Sequence, residues 1–188
     1  MRASITYTLK QDTVDTTTTS TFFGTASAVN LFQRLPIANL FADGLTSSIR
    51  PALTYDTRNN RLFPTAGVFL QGSSEFAVSQ IGSDNEFIRH RITGRYYYPI
   101  TDTVVIKMNT EAGLVTSPDP AGVPLFARFF LGGIFDLRGY RLRTVGPRLP
   151  LKSTLDENAP QFRNGANIGG NLSYYQNLEL AVPVLQQL

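Results

Sequence analysis

Residues 103–115, TVVIKMNTEAGLV, alternate between apolar and polar side chains along their whole length. One set of alternate positions holds Val104, Ile106, Met108, Thr110, Ala112 and Leu114. The other set holds Thr103, Val105, Lys107, Asn109, Glu111 and Gly113. Because successive side chains of a β-strand point to opposite faces, the pattern predicts a strand with one apolar face and one polar face.

The same alternation recurs along the chain, and helical spacing is scarce. Five further strands are predicted at residues 3–12, 45–56, 67–79, 86–100 and 171–184. In the segment 86–100 the polar positions include Arg89, Arg91 and Arg95, and the single histidine, His90, falls on the apolar side. Residues 16–28 contribute two more strands in the alternative reading, so the prediction is six to eight strands in an all-β fold.

Two all-β architectures accommodate such strands. A soluble sandwich buries the apolar faces against each other, whereas a membrane barrel turns them to lipid and encloses the polar faces around water. Several of the segments are about 12–15 residues long, above the ~5–6 of typical globular strands and enough for a tilted bilayer crossing of ~9–11. The lengths favour a transmembrane antiparallel barrel or a fragment of one, with the sandwich left open.

The connections between the predicted strands differ in length. TRNNRLFPT, residues 57–65, and PITD, residues 99–102, are short turns, whereas the connections at about residues 13–44 and 116–170 are long. Outer-membrane barrels have short turns on the periplasmic side and longer loops outside. We therefore interpret residues 1–188 as a single partial barrel domain. Residues 29–41, VNLFQRLPIANLF, have loose helical spacing and form either a short amphipathic helix at the barrel mouth or an irregular loop.

The composition limits the kinds of function that are expected of the chain. The chain has 188 residues, no cysteine and a formal net charge of +3, and its basic residues are spread along the sequence. The absence of cysteine excludes disulfides and thiolate metal sites, and the spread charge makes no case for nucleic acid. No nucleophile motif, phosphate loop or metal-ligand spacing is present, so we expect neither enzymatic activity nor a cofactor.

Three stretches together resemble BamA-type outer-membrane protein assembly factors. FFLGGIFDLRGY, residues 129–140, resembles the signature of that family's sixth loop, with its arginine in the tetrad Leu137, Arg138, Gly139 and Tyr140. YDTRNNRLFPTAG, residues 55–67, resembles the family's turn between two barrel strands. IGGNLSYYQNLELAVP, residues 168–183, resembles the strand that follows the sixth loop.

The resemblance implies a site. In the family the sixth loop folds into the barrel lumen, where its arginine meets carboxylates of the inner wall, and Glu179 matches one of these acids. The resemblance thus implies an ion pair between Arg138 and Glu179, with Gly132, Gly133 and Gly139 permitting tight turns beside the wall.

The resemblance also implies a function and its setting. The family's barrel has about sixteen strands, so this chain is expected to be a central part of one or an unusually reduced relative, without the periplasmic repeat domains. The implied activity is folding and insertion of β-barrel proteins into the bacterial outer membrane. The implied partners are the lipid bilayer, client outer-membrane proteins and accessory lipoproteins. A translocation or passive channel barrel, of the two-partner-secretion or organelle-import type, is the alternative. Open strand edges are expected to recruit strands from the long loop or to pair with a second copy.

Overall fold

The chain forms one antiparallel sheet of six long strands. A computed structural model describes residues 1–13, 44–149 and 166–182. The strands of the sheet are β1 (Arg2–Asp12), β2 (Gly44–Asp56), β3 (Gly67–Ala77), β4 (Phe87–Pro99), β5 (Val105–Thr116) and, after two short strands, β8 (Leu172–Ala181). The spatial order is β1-β2-β3-β4-β5-β8, with every neighbouring pair antiparallel. The predicted all-β class and the six predicted strands are confirmed.

Helices contribute little to the described part of the chain. Two 3-10 turns occur there, at Ser79–Ile81 and Leu125–Ala127. Within the described ranges, no helix has the length and apolar character needed to cross a membrane. Residues 16–28, the place of the two strands in the alternative reading, lie outside the described residues. So do residues 29–41, for which the sequence leaves both a helix and an irregular loop open.

Strand register separates the side chains into two faces. The polar face carries the even-numbered residues of β1 and β2 and the odd-numbered residues of β3, β4, β5 and β8. A typical row across it pairs Gln71 with Thr93, Thr93 with Glu111, and Glu111 with Tyr175. The apolar face carries the remaining residues. Both faces follow from the period of two in the sequence, because cross-strand partners point the same way.

The apolar face is uncovered. Ile92 is 62% exposed and Leu178 is 71% exposed, and other large apolar side chains on this face are similarly open. They include Ile5, Leu9, Leu53, Tyr96, Tyr98 and Leu180. A sandwich would bury these side chains against a second sheet, so their exposure fits the barrel interpretation, in which this face meets hydrocarbon.

The small buried core lies on the polar face, at the end of the sheet where the long connection between β5 and β8 begins. The wall contributes Ala77, Phe87 and Val115. The connection contributes Val123, Ala127 and Phe129, and Phe126 packs against the cluster edge-on to Phe87. The long connection is therefore folded onto the polar face of the sheet and is held there by apolar contact.

The loop between β3 and β4 closes the same end of the sheet through buried polar contacts with β2. The Asn85 amide donates to the Thr46 hydroxyl at 3.1 Å, and the Ser47 N–H donates to the Ser83 hydroxyl at 3.2 Å. Within the loop, hydrogen bonding to Ser79 lowers the pKa of Glu86, because it favours the carboxylate.

The opposite end of the sheet carries the short turns. Between β2 and β3, the Arg58 guanidinium binds the Asp56 carboxylate with both Nε and Nη2 at 2.9 Å, which raises the pKa of Arg58. The Asn59 side chain accepts hydrogen bonds from the N–H groups of Asn60, Thr65 and Ala66. An asparagine that satisfies several backbone donors is typical of a tight, ordered turn.

Two short strands, β6 (Arg148–Leu149) and β7 (Ala166–Asn167), pair with each other in a separate sheet. Within the described residues, the long connection therefore does not extend the main sheet. Recruitment of strands from the long loop by the open strand edges is thus not observed there. Pairing of β1 or β8 with a second copy stays a prediction.

A charge placed on the apolar face tests the orientation of the sheet. We expect Ile92→Arg to destabilise the folded protein in phospholipid bilayers by about 2–4 kcal/mol, because the guanidinium would face hydrocarbon near the middle of β4. The matched control is Thr93→Arg, one residue along the strand and on the polar face. Equilibrium urea unfolding in vesicles measures both. A larger loss for Thr93→Arg than for Ile92→Arg would contradict the assignment of the faces.

Candidate functional site

The candidate site is the segment of the long connection that runs along the polar face of the sheet. Its upper end is Phe129, whose N–H donates to the Gly170 carbonyl at 2.9 Å and whose carbonyl accepts the Gly170 N–H at 2.8 Å. The Val115 N–H donates to the Asn171 carbonyl at 2.8 Å beside it. These bonds fix the beginning of the loop to the start of β8.

Phe129 sits in a seat made by a glycine of the wall. Gly113 is on the polar face of β5 opposite Ser173 of β8, and a Cβ added at Gly113 would overlap the Phe129 ring. The Arg91 guanidinium lies 5.6 Å from the centroid of the same ring. Only a residue without a side chain leaves room for an aromatic ring directly on the strand backbone.

Below Phe129 the loop forms a narrow hairpin. Leu131 and Val145 exchange backbone hydrogen bonds of 3.3 and 3.0 Å. Gly132 has φ +114°, and a Cβ there would run into the Arg141 carbonyl. The Gly132 N–H donates to the Asp136 carboxylate at 2.9 Å. The glycine is therefore required by both its backbone conformation and its surroundings.

The tetrad lies at the tip of this hairpin. The Tyr140 N–H donates to the Leu137 carbonyl at 3.4 Å, and Gly139 between them has φ +89°. Gly133 also has a positive φ, +125°. The turn leaves the side chains of Arg138 and Tyr140 exposed, with that of Arg138 directed at the wall.

Two contacts join the tip to β8. The Arg138 guanidinium lies 2.5 Å from the Glu179 carboxylate, and the Asn177 amide donates to the Asp136 carbonyl at 2.8 Å. Glu179 is the cross-strand partner of Lys107 on β5. The structure thus brings together Arg138 and Glu179 as the resemblance implies, and the role of this pair stays a prediction.

The loop reaches deep along the sheet. Phe129 lies at the level of Ser173, and Arg138 at the level of Glu179. Six residues of a strand correspond to about 20 Å, against a hydrocarbon core of about 30 Å. The hairpin therefore spans much of the depth of the sheet along its polar face, which is the lumen side of a barrel.

Further ion pairs line the polar face beside the loop. Arg89 pairs with Glu75 at 2.5 Å, and Arg91 approaches Glu111 at 3.5 Å. The acids Glu75, Glu111 and Glu179 all fall on the polar face, as their positions in the sequence predict. On the other face, His90 is hydrogen-bonded to the Ser74 hydroxyl at 2.9 Å. Among the described residues, no cluster of three or more histidine, aspartate or glutamate side chains could hold a metal.

Next to Phe129, at the upper end of the loop, Arg128 is half-buried, and its Nε donates to the Val123 carbonyl at 3.1 Å. Burial lowers the pKa of this guanidinium, which nonetheless stays charged at neutral pH. Near it, the Arg143 guanidinium lies 4.0 Å from the centroid of the Phe130 ring. Cations stacked on rings in this way fix the two sides of the hairpin to each other.

Sequence reasoning missed several contact residues of the site. Gly113 was assigned to the polar face without a role, and Phe129, Asp136 and Asn177 were not singled out for the contacts they make. A glycine within a strand is a weak signal of close approach by another group, and Gly113 could have been found in this way. The partner of Asn177 could not, since it is a backbone carbonyl far away in sequence.

Comparisons with known proteins agree on one family. A model of the Omp85 superfamily domain matches residues 2–188. The outer membrane protein assembly factor BamA of Nitratidesulfovibrio vulgaris is 30% identical over 137 residues, which cover 73% of this chain and 16% of that protein. A SAM50-like protein of Drosophila melanogaster is 26% identical over 104 residues, 55% of this chain and 23% of that one.

One solved structure has the same fold. The crystal structure of BamA from Haemophilus ducreyi lacking POTRA domains 1–3 superposes with a TM-score of 0.64 at 23% identity. The match covers 86% of this chain and 31% of that chain. The open six-stranded sheet therefore has the fold of one part of a larger barrel. This chain spans less than a quarter of the length of the two relatives named above.

The ion pair at the tip is testable by a double-mutant cycle. We expect Arg138→Gln and Glu179→Gln to show a coupling energy of about 0.2–1 kcal/mol, because both side chains are partly exposed, at 68% and 41%. The comparison pair is Arg89 and Glu75, which are 24% and 13% exposed and join two wall strands, so a larger coupling is expected there. Equilibrium unfolding gives both values.

Proteolysis of the same variants distinguishes a loosened loop from a weakened sheet. Either tip variant is expected to speed tryptic cleavage at Arg141 and Arg143, which both variants retain, whereas Arg89→Gln is expected to leave it unchanged. Zero coupling between Arg138 and Glu179, together with unchanged cleavage, would show that the pair does not hold the loop.

The seat of Phe129 gives an independent test. We expect Gly113→Ala to destabilise the protein by about 1–3 kcal/mol, because the added methyl group overlaps the ring. Gly72→Ala is the matched control, since Gly72 is also a strand glycine and a Cβ there meets nothing within 4 Å. Replacing the ring in the double variant Gly113→Ala, Phe129→Ala is expected to remove the overlap. Equal stability losses for Gly113→Ala and Gly72→Ala would show that the Phe129 ring does not rest directly on Gly113.

Proposed function

The chain belongs to the Omp85 superfamily, and we propose that it is part of the barrel of an insertase that folds β-barrel proteins into the bacterial outer membrane. The proposed activity involves no bond chemistry and no cofactor. The proposed partners are the bilayer, client outer-membrane proteins and the accessory lipoproteins of the assembly machinery. Nucleic acid has no part in it.

Relatives from bacteria support this proposal. The matched proteins of Nitratidesulfovibrio vulgaris and Neisseria meningitidis are both outer membrane protein assembly factors. The Drosophila relative has a higher share of its own length covered, 23%, and is named after the SAM50 proteins. The proposed location is the bacterial outer membrane, and the 30% identity to a bacterial protein supports it.

The observation that carries the mechanism is the loop tethered along the polar face. Apolar contacts at Phe129 and the ion pair at Arg138 hold the two ends of the hairpin to β5 and β8 about 20 Å apart. A strut of this kind stiffens the strands that it crosses. Flexibility is then left to strands without such a contact, which is where an incoming client can pair.

Strand edges supply the means of pairing. In the described residues, β1 and β8 each have one neighbour in the sheet, so each leaves a row of backbone N–H and C=O groups free on its other side. Such an edge is a template for another strand. A client strand that pairs at an edge of the parent barrel satisfies its backbone groups before it enters hydrocarbon, which lowers the barrier to insertion.

A passive or translocating channel is the second candidate. The polar face favours it, since charged residues line that face from Arg2 on β1 to Glu179 on β8 and would surround an aqueous path. The same loop would then act as a plug in the lumen rather than as a strut.

Reconstitution distinguishes the two candidates. The chain is incorporated into phospholipid vesicles, and folding of a small unrelated outer-membrane protein is followed by its shift in electrophoretic mobility. We expect faster folding than in vesicles holding an equal amount of an unrelated eight-stranded barrel, since the client can pair with a strand edge. Ion conductance without any acceleration of client folding would favour the channel and exclude the insertase proposal for this chain.

A further inference from the structure

The polar face has a second feature, a hollow on β1 to β4 beside the tethered loop. It has a volume of about 230 Å³ and is lined by residues of β1, β2, β3 and β4. Its lining is Ser4, Thr6, Arg50, Ala52, Gln71, Ser73, Glu75, Arg89 and Arg91. Three arginines and one glutamate give this surface an excess of two positive charges. We propose that the hollow is a binding site for a small multivalent oxyanion of the phosphate type.

Register explains why the hollow exists. Ser4 pairs with Ala52, Ala52 with Ser73, and Ser73 with Arg91, so one row across four strands begins with three small residues. The neighbouring row contains Thr6, paired with Arg50, and Glu75, paired with Arg89. Small side chains form the floor, and long basic side chains rise around it. The floor also offers the hydroxyl groups of Ser4 and Ser73 as hydrogen-bond donors.

Glu75, the acid in the lining, already has hydrogen-bond partners. The Glu75 carboxylate accepts hydrogen bonds from the Arg89 guanidinium at 2.5 Å and from the Ser48 hydroxyl at 3.0 Å. It therefore neutralises Arg89, which leaves Arg50 and Arg91 as the lining arginines without an acid inside the hollow. Arg91 reaches out of the hollow to Glu111, at a long 3.5 Å, and its side chain is 46% exposed.

Arg50 has no ion pair among the described residues and is exposed on the polar face. Its strand is two strands away from that of Arg91, with one row of offset, so the two Cα atoms are separated by roughly 12 Å. Two extended guanidinium groups at that distance can converge on one guest above Ala52 and Ser73. Guanidinium forks match the paired oxygens of phosphate. A multivalent oxyanion would balance the charge of Arg50 and would compete with Glu111 for the loosely held Arg91.

This site does not depend on the insertase proposal, because its residues lie on β1 to β4 and none of them contacts the tip of the loop. The chemistry of the ligand follows from the lining alone. Hydroxyl and guanidinium donors surround a polar floor, without an aromatic or apolar wall for a larger organic group.

The test uses the 188-residue chain folded in detergent micelles. Sodium pyrophosphate is titrated at constant ionic strength, with chloride as the replaced anion, and the thermal midpoint is followed. A ligand that binds the folded state raises the midpoint in a saturable way. We expect Arg50→Gln and Arg91→Gln each to weaken the apparent affinity for pyrophosphate roughly tenfold, since each removes charge-assisted hydrogen bonds.

Arg95→Gln is the matched control. Arg95 is on the same face and the same strand as Arg91 but is not in the lining, and its guanidinium lies over the Phe69 ring. It removes the same charge, so it is expected to change the affinity by less than about twofold. Equal weakening by Arg95→Gln and Arg50→Gln would indicate a diffuse field and overturn the site.

A variant that keeps every charge covers the case in which an arginine variant fails to fold. Ser73→Leu fills the floor of the hollow and is expected to abolish saturable binding while the arginines remain. Unchanged pyrophosphate affinity in Ser73→Leu, or the absence of saturable stabilisation in the unmodified chain, would refute the proposal.

Discussion

The hydrogen-bonded ladder between β4 and β5 is the constraint on which the rest of this structure depends. It pairs every residue from Ile88 with Thr116 to Pro99 with Val105 without a bulge. An uninterrupted antiparallel ladder keeps alternate side chains on the same face over its whole length. One slip of register would place Arg89, Arg91 and Arg95 among the side chains that face hydrocarbon. The separation of the faces, and with it the existence of a polar lumen wall, follows from that register.

A polar wall of this kind becomes a site only where it can receive another part of the chain. Gly113 is decisive here, because it lets the Phe129 ring rest on the strand where any side chain would hold it away. From that point the hairpin continues along β8, and glycines at its turns allow it to stay narrow. Apolar side chains are buried at its upper end, and one hydrogen bond and one ion pair join its tip to β8. The stronger share of the anchoring is apolar, since the Arg138–Glu179 pair is partly exposed and solvent weakens it.

Charge on the polar face is arranged in local pairs rather than in one field. Glu75 with Arg89, Glu111 with Arg91, and Glu179 with Arg138 follow one another across β3, β4, β5 and β8. Each acid is held near a guanidinium, which reduces the cost of enclosing charges in a confined space. Arg50, Arg95 and Lys107 have no ion pair among the described residues, and of these three Arg50 lies in the lining of the hollow. The tip of the loop contacts β8, the hollow is lined by β1 to β4, and Arg91 borders both the hollow and the Phe129 ring.

The period of two, read from residues such as Ile92 and Thr93, was enough to predict the strands, their two faces and the side on which Glu75, Glu111 and Glu179 lie. Local turn chemistry was equally legible, because Asn59 and its neighbours act within a few residues of themselves. The Arg138–Glu179 contact was reached through resemblance to a family, not through spacing. Only the tertiary structure decided that Phe129 rests on Gly113, that Asn177 holds the Asp136 carbonyl across 41 residues of sequence, and that Arg50 borders a hollow. Alternation is a property of each strand by itself, whereas these contacts depend on which strands are neighbours and on where a long connection returns to the sheet, and no local pattern records either.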